Sequence, residues 1–253
     1  MKKLFLLGLV ISALLLAGTA WAAKTTVGLG AGLAPDYEGS DDMTGVPMFM
    51  FSNKYDSGRS VTLMGPNLKV NLLANPNYSL GPVLNYRMER NNVDNDQVDA
   101  MRKVDGALEA GVFGGVDVNN LLLGIEFLAD VSDEHDGYTT QATVGYRWKA
   151  TPTLVITPGA SVTYADSDYM GTYFSVNDYN RGASGFPNYK ADSGLKDAGF
   201  NLMANYTPWQ NWGIMGLFSY KSLLNDAKDS PVVKVGDEDQ VFFGLMGTYR
   251  FGN

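Results

Sequence analysis

Alternation between two faces, rather than any long apolar run, organises this chain. Across Gln240–Phe251, Val241, Phe243, Leu245, Tyr249 and Phe251 share one face, while Gln240, Gly244, Thr248 and Arg250 share the other, the side-chain geometry of an extended strand. In Tyr138–Lys149, Tyr138, Thr140, Ala142, Val144, Tyr146 and Trp148 oppose Thr139, Gln141, Thr143, Gly145, Arg147 and Lys149. Leu121–Val131 and Thr153–Ala165 repeat the pattern. These runs are longer than the usual soluble strand of about 5–6 residues. Spans of about 9–11 residues, apolar on one face and polar or small on the other, mark transmembrane β-strands. A final strand ending almost at the C-terminus on an aromatic suits the closing strand of an outer-membrane barrel.

Connection lengths extend this reading. Counting back from the last strand, Asn225–Asp239, Asp166–Gly194, Asn91–Lys103 and Asp36–Thr44 are long connections, expected outside the cell. Thr207–Asn211, Ala150–Pro152, Asp117–Asn120 and Asn75–Asn77 are short ones, expected in the periplasm. Long and short links alternate, as bacterial barrels require. Parity holds if Ser60–Ala74 turns back at Met64-Gly65-Pro66-Asn67, a Gly-Pro turn signal. The expected fold is an all-β, antiparallel up-and-down transmembrane barrel of about 12 strands, with 10 as the alternative. Trp148, Trp209 and Trp212 then fall at the periplasmic rim, where amphipathic rings concentrate.

The start of the chain agrees with export. Lys2 and Lys3, the apolar stretch Leu4 to Ala17 and Ala20-Trp21-Ala22 form the three regions of a signal peptide, so residues 1–22 are expected to be removed and 23–253 to form the barrel. The apolar stretch is shorter than the about 20 residues a spanning helix needs. Losing two lysines takes the formal charge from −8 to about −10, which argues against nucleic acid as a partner. The absence of cysteine removes disulfide and thiolate chemistry. Lipid and lipopolysaccharide of the outer membrane are the expected surroundings.

Candidate chemistry is sparse. The inward faces carry Lys69, Arg87, Glu89, Glu109, Asp117, Glu126, Asp130, Arg147, Lys149, Asp197, Lys221 and Arg250. These either line a narrow aqueous pore or pair across the lumen. Buried charges are costly unless paired, and the mixture of signs favours a filled or very narrow interior. His135 is the only histidine and sits among Ser132-Asp133-Glu134-His135-Asp136-Gly137. A general base there is possible in principle, but no nucleophile accompanies it, and a solvated loop is expected. Acidic groups on the long-loop side (Asp36, Glu38, Asp41 and Asp42; Asp94, Asp96 and Asp99; Asp237, Glu238 and Asp239) lack an ordered calcium-loop spacing. No catalytic set, cofactor or metal site is expected. The loop Asp166–Gly194 holds Tyr169, Tyr173, Phe174, Tyr179, Phe186 and Tyr189, either folded over the barrel mouth or presented to a partner.

Particular blocks go beyond barrel patterning. Pro35-Asp36-Tyr37-Glu38-Gly39-Ser40 follows Gly28-Leu29-Gly30. Thr172–Val176 precedes Ala183–Tyr189 and Gly194-Leu195-Lys196-Asp197. Asp226-Ala227-Lys228-Asp229-Ser230-Pro231-Val232-Val233 precedes the closing Tyr249-Arg250-Phe251. In set and order these resemble the MipA/OmpV family of outer-membrane proteins, over nearly the whole chain beyond the signal peptide. The resemblance implies a scaffold, not an enzyme, bridging a lytic transglycosylase and a bifunctional penicillin-binding protein at the outer membrane. It also implies surface antigens and adhesins among its members. A channel for small solutes is the main rival, and a surface adhesin the third reading.

Overall fold

The computed structural model describes residues 23–251. The expected signal peptide, 1–22, lies outside the described residues. The strands run β1 Ala23–Pro35, β2 Met43–Tyr55, β3 Ser60–Met64, β4 Asn67–Asn71, β5 Tyr78–Arg87, β6 Ala107–Val118 and β7 Leu121–Asp130. They continue as β8 Tyr138–Tyr146, β9 Trp148–Lys149, β10 Leu154–Ala165, β11 Gly194–Tyr206, β12 Trp212–Leu223 and β13 Asp239–Phe251. β8 and β9 are one strand interrupted at Arg147: both pair with β10, and the Arg147 N–H bonds to the Asn120 carbonyl at 2.8 Å. The wall therefore has twelve antiparallel strands, the larger of the two expected numbers. β13 pairs with β1 in unbroken register from Thr25↔Phe251 to Leu33↔Phe243, which closes the barrel.

The period of two assigns the faces. Leu29, Val112, Ile125, Phe243 and Leu245 point outward and stay exposed, Leu29 at 75%. Such a belt on a closed wall of paired strands is built for lipid, and the protein is an outer-membrane barrel. Tyr146, Trp148, Tyr206, Trp209, Trp212 and Phe251 are exposed around the short-turn end. There the Trp212 ring meets Tyr249 at 4.8 Å, and Tyr249 meets Phe251 at 4.7 Å. The seam between first and last strands depends on Gly30, where a Cβ would stand 2.0 Å from the Leu245 carbonyl oxygen.

One part of the wall is lower than the rest. The β3–β4 hairpin turns at Gly65-Pro66 and covers β2 only from Met50 to Lys54. Above it the Gly65 N–H still bonds to the Phe49 carbonyl at 2.9 Å. Among the described residues no strand pairs with that side of β2 from Met43 to Met48.

The long connections fold into a cap. It contains α1 Asp96–Asp99, α2 Ser167–Phe174, α3 Asp178–Ser184, α4 Asn225–Asp229 and α5 Pro231–Lys234. Asp166, Asn177 and Ser230 accept N-terminal amide hydrogen bonds of α2, α3 and α5, which satisfies donors that a helix start leaves free. Two apolar clusters hold the cap together. Tyr169, Met170, Tyr173 and Phe174 of α2 pack with Ala227 and Val233. Tyr37, Val98, Met101, Val176, Phe186 and Val232 form the second. Deeper in the lumen, Met48, Met50, Met215 and Met246 form a third cluster, with Met64, Met203, Leu217 and Phe242 against it.

Candidate functional site

Beneath the cap the lumen holds a connected set of charges. Glu109, on β6, is completely buried. It accepts from Asn85 Nδ2 at 2.7 Å, Arg87 Nε at 2.9 Å and Arg87 Nη2 at 3.3 Å. His135 Nε2 lies 3.2 Å from the same carboxylate. Because His135 Nδ1 accepts the Gly137 N–H at 3.1 Å, the hydrogen-bond network assigns the proton to Nε2, which donates to Glu109. The guanidinium of Arg87 also sits 4.7 Å from the centre of the Tyr169 ring, in cation–π range.

A second carboxylate descends from the cap. Glu38 accepts from Lys196 Nζ at 2.6 Å and from the Tyr169 hydroxyl at 2.7 Å, with Arg87 3.9 Å away. Burial acts to raise the Glu38 pKa, but Lys196 and Arg87, with the two hydrogen bonds, outweigh it and hold the carboxyl down at about 2. Burial pushes the Tyr169 phenol well above its ordinary value. Lys196 also pairs with Asp197 at 2.8 Å. Both residues are buried because the β10–β11 register shifts at Thr163/Tyr164, so two successive residues turn inward. A cavity of about 220 Å³ remains between Glu38, Arg87, Glu126, Lys196, Asp197 and Lys221.

The sequence-predicted residues divide. Arg87, Glu109, Glu126, Asp197 and Lys221 meet at this chamber. Lys69 joins them through Glu126 at 2.7 Å. Arg147 pairs with Asp117 at 2.7 Å, nearer the short-turn end, while Arg250 and Lys149 are exposed there. Glu89 does not line the lumen. Alternation breaks after β5, Met88 and Glu89 are both exposed, and Arg90 turns inward instead to donate to the Tyr173 carbonyl at 2.9 Å. Asp130 stands opposite Glu109 in the β6–β7 register, on the inward face, but its carboxylate is spent at the top of the strand. That carboxylate accepts the N–H groups of Ser132, Glu134, His135 and Asp136, and so ties the β7–β8 turn. His135 is not in a solvated loop: it is 3% exposed, under the rings of Tyr169 and Tyr173 at 5.3 and 5.7 Å. With Nδ1 engaged by Gly137 it has no free lone pair to take a proton, which the general-base reading needs.

Of the loop aromatics, Tyr169, Tyr173, Phe174 and Phe186 are buried in the cap and Tyr189 is partly so, its hydroxyl donating to the Asp226 carbonyl at 2.8 Å. Tyr179 stands 70% exposed. Three of the acidic groups are spent locally: Asp36 accepts the Asp94 N–H, Asp99 the Val93 N–H, and Glu238 pairs with Lys228. Among the described residues no three histidine or acidic side chains gather as a metal site. Sequence reasoning missed Lys196 and Asn85, and took Glu38 for surface. For Glu38 and Lys196 the usable signal was membership in the specific blocks. Those blocks converge on the cap, where the Ser230 hydroxyl donates to the Phe174 carbonyl at 2.6 Å and Gly39, at φ +102°, lies against Val233.

At the short-turn end a second cavity of about 370 Å³ is lined by Lys54, Ser60, Asn71, Asn77, Ser79 and Asp117 among others. The methionine cluster fills the lumen along β2, β11, β12 and β13.

Compared with known proteins, residues 27–251 match the model of the family described as MltA-interacting protein MipA. No curated protein matches the chain. Similar solved structures include the translocator domain of the autotransporter NalP from Neisseria meningitidis, at 11% identity, covering 98% of this chain and 96% of that one, with a TM-score of 0.46. The NanC porin is 9% identical over 91% and 100% of the two chains, TM-score 0.42. The outer membrane channel DcaP of Acinetobacter baumannii is 10% identical over 90% and 96%, TM-score 0.36.

Proposed function

Because the chain belongs to the MipA family over residues 27–251, we propose that it is a non-catalytic outer-membrane scaffold. It would anchor a peptidoglycan-cleaving lytic transglycosylase, and with it a bifunctional penicillin-binding protein, to the membrane. The observation that carries this reading is the filled lumen. A cap with its own apolar clusters closes the long-loop end, paired charges lie beneath it, and methionines occupy the space further in. A barrel so filled offers partners a surface more readily than it offers solutes a passage. The short-turn end is the face turned to the periplasm in a bacterial barrel, and its exposed Trp209 and Trp212 are residue types suited to anchoring a partner.

Photocrosslinking tests this reading. A benzophenone amino acid at Gln210 or Asn119 is expected to capture a murein enzyme, and one at Tyr179 is not. Capture from Tyr179 alone would favour an adhesin working through the cap. The channel reading rests on the charged chamber of about 220 Å³. Planar-bilayer recordings of the refolded mature chain are expected to stay near background. Stable discrete openings would replace the scaffold with a pore.

A further inference from the structure

Six of the eleven methionines in the sequence meet in one layer of the lumen: Met48 and Met50 of β2, Met64 of β3, Met203 of β11, Met215 of β12 and Met246 of β13. Filling a barrel needs only apolar bulk, and the cap of this same protein does it mostly with Val, Ala and aromatic side chains, with one methionine in each of its two clusters. In this layer of the lumen the filler is chiefly thioether, contributed by five strands, with Leu217 and Phe242 beside it. Glycines clear the wall for it. A Cβ at Gly244 would lie 2.4 Å from Met48 Sδ, one at Gly32 3.1 Å from the same sulfur, and one at Gly28 3.0 Å from Met246 Sδ. Polar space lies elsewhere in the lumen: the charged chamber under the cap and the cavity lined by Lys54, Asn71 and Asp117.

We propose that this layer is a binding site for a soft monovalent cation of the Cu(I) class. Thioether sulfur is a soft donor that selects such ions over the hard and borderline divalent ones. It carries no proton to displace, so binding there needs no deprotonation. Competing hard-ion sites are not evident, because no three histidine or acidic side chains cluster among the described residues. Methionine side chains are also flexible enough to turn their sulfurs toward an ion without moving the strands.

Silver(I), which keeps its oxidation state in air, is the probe. The mature chain, refolded in detergent, is titrated with silver nitrate in chloride-free buffer, and bound silver is examined by X-ray absorption. One silver ion per folded chain in a shell of sulfur is expected. Met48→Leu, Met246→Leu and their combination with Met215→Leu keep the apolar volume and are expected to weaken binding by at least about tenfold. Met43→Leu with Met88→Leu alters two exposed methionines outside the layer and is expected to change nothing. Failure of the wild-type chain to take up silver overturns the proposal even if the triple variant does not fold. Uptake that survives Met48→Leu with Met246→Leu, or that disappears in the Met43→Leu, Met88→Leu control, overturns it as well.

Discussion

Glu109 shows how a single buried charge is made tolerable. Its carboxylate has partners from β5 and from the β7–β8 turn, so each oxygen is engaged. Removing one partner of a buried ion pair costs about 3–5 kcal/mol, because the other charge stays desolvated. Arg87→Ala leaves Asn85 and His135 in place, so a loss near the lower end, about 3 kcal/mol, is expected in the unfolding free energy of the refolded barrel measured by urea titration. Glu38 makes a separate prediction with pH. Its folded pKa, about 2, lies below the ordinary 4.5, so the stability it contributes is complete above about 4.5 and is lost as pH falls toward 2. Near-UV circular dichroism from Tyr169 and Tyr173 is expected to fade over that window while the far-UV strand signal persists. Alternation alone identified Arg87, Glu109 and Glu126 as inward. It failed at Lys196, where a register shift adds an inward residue, and at Glu89, where β5 ends and loop geometry takes over.

At the scale of elements, period-two patterning marks strands such as β7, β8, β10 and β13, and the half-length β3 and β4 follow from the Gly65-Pro66 turn. The cap helices were not legible in advance. They are four to eight residues long, too short to exist without tertiary packing, so periodicity has little to register. Their starts depend on side-chain caps. Asp166 Oδ1 accepts the N–H groups of both Tyr169 and Tyr138, joining α2 to β8. Asp166→Ala is expected to cost the cap about 1–2 kcal/mol. Limited proteolysis within 166–194 should accelerate while the strands remain protected. The β1–β13 seam is less forgiving. Gly30→Ala forces a Cβ into the Leu245 carbonyl oxygen, and the fraction migrating as compact barrel on unheated gels should fall sharply.

The whole molecule is a lipid-facing cylinder with a small folded assembly on one end. The outer belt, the aromatic rim and the closure were readable because lipid imposes one repeating demand on every strand. The cap was not, since Glu38, Lys196, Tyr169 and Ser230 come together from connections more than 100 residues apart in sequence for the pairs Glu38–Lys196 and Glu38–Tyr169. The wall itself is uneven, however. Phe49 accepts from Gly65, and by strand alternation Gly45 and Pro47 turn their backbone groups toward the same side, above the hairpin, where no strand among the described residues meets them. Pro47 at least has no N–H to leave bare. Gly45 pairs on its other side with Leu33, a residue of the lipid-facing belt. Hydrogen exchange in nanodiscs should therefore find the amide of Gly45 far less protected than those of β1, which is flanked on both sides. A cylinder stitched only halfway up on one side has a sideways door, and any parting of this wall toward the surrounding lipid should begin there.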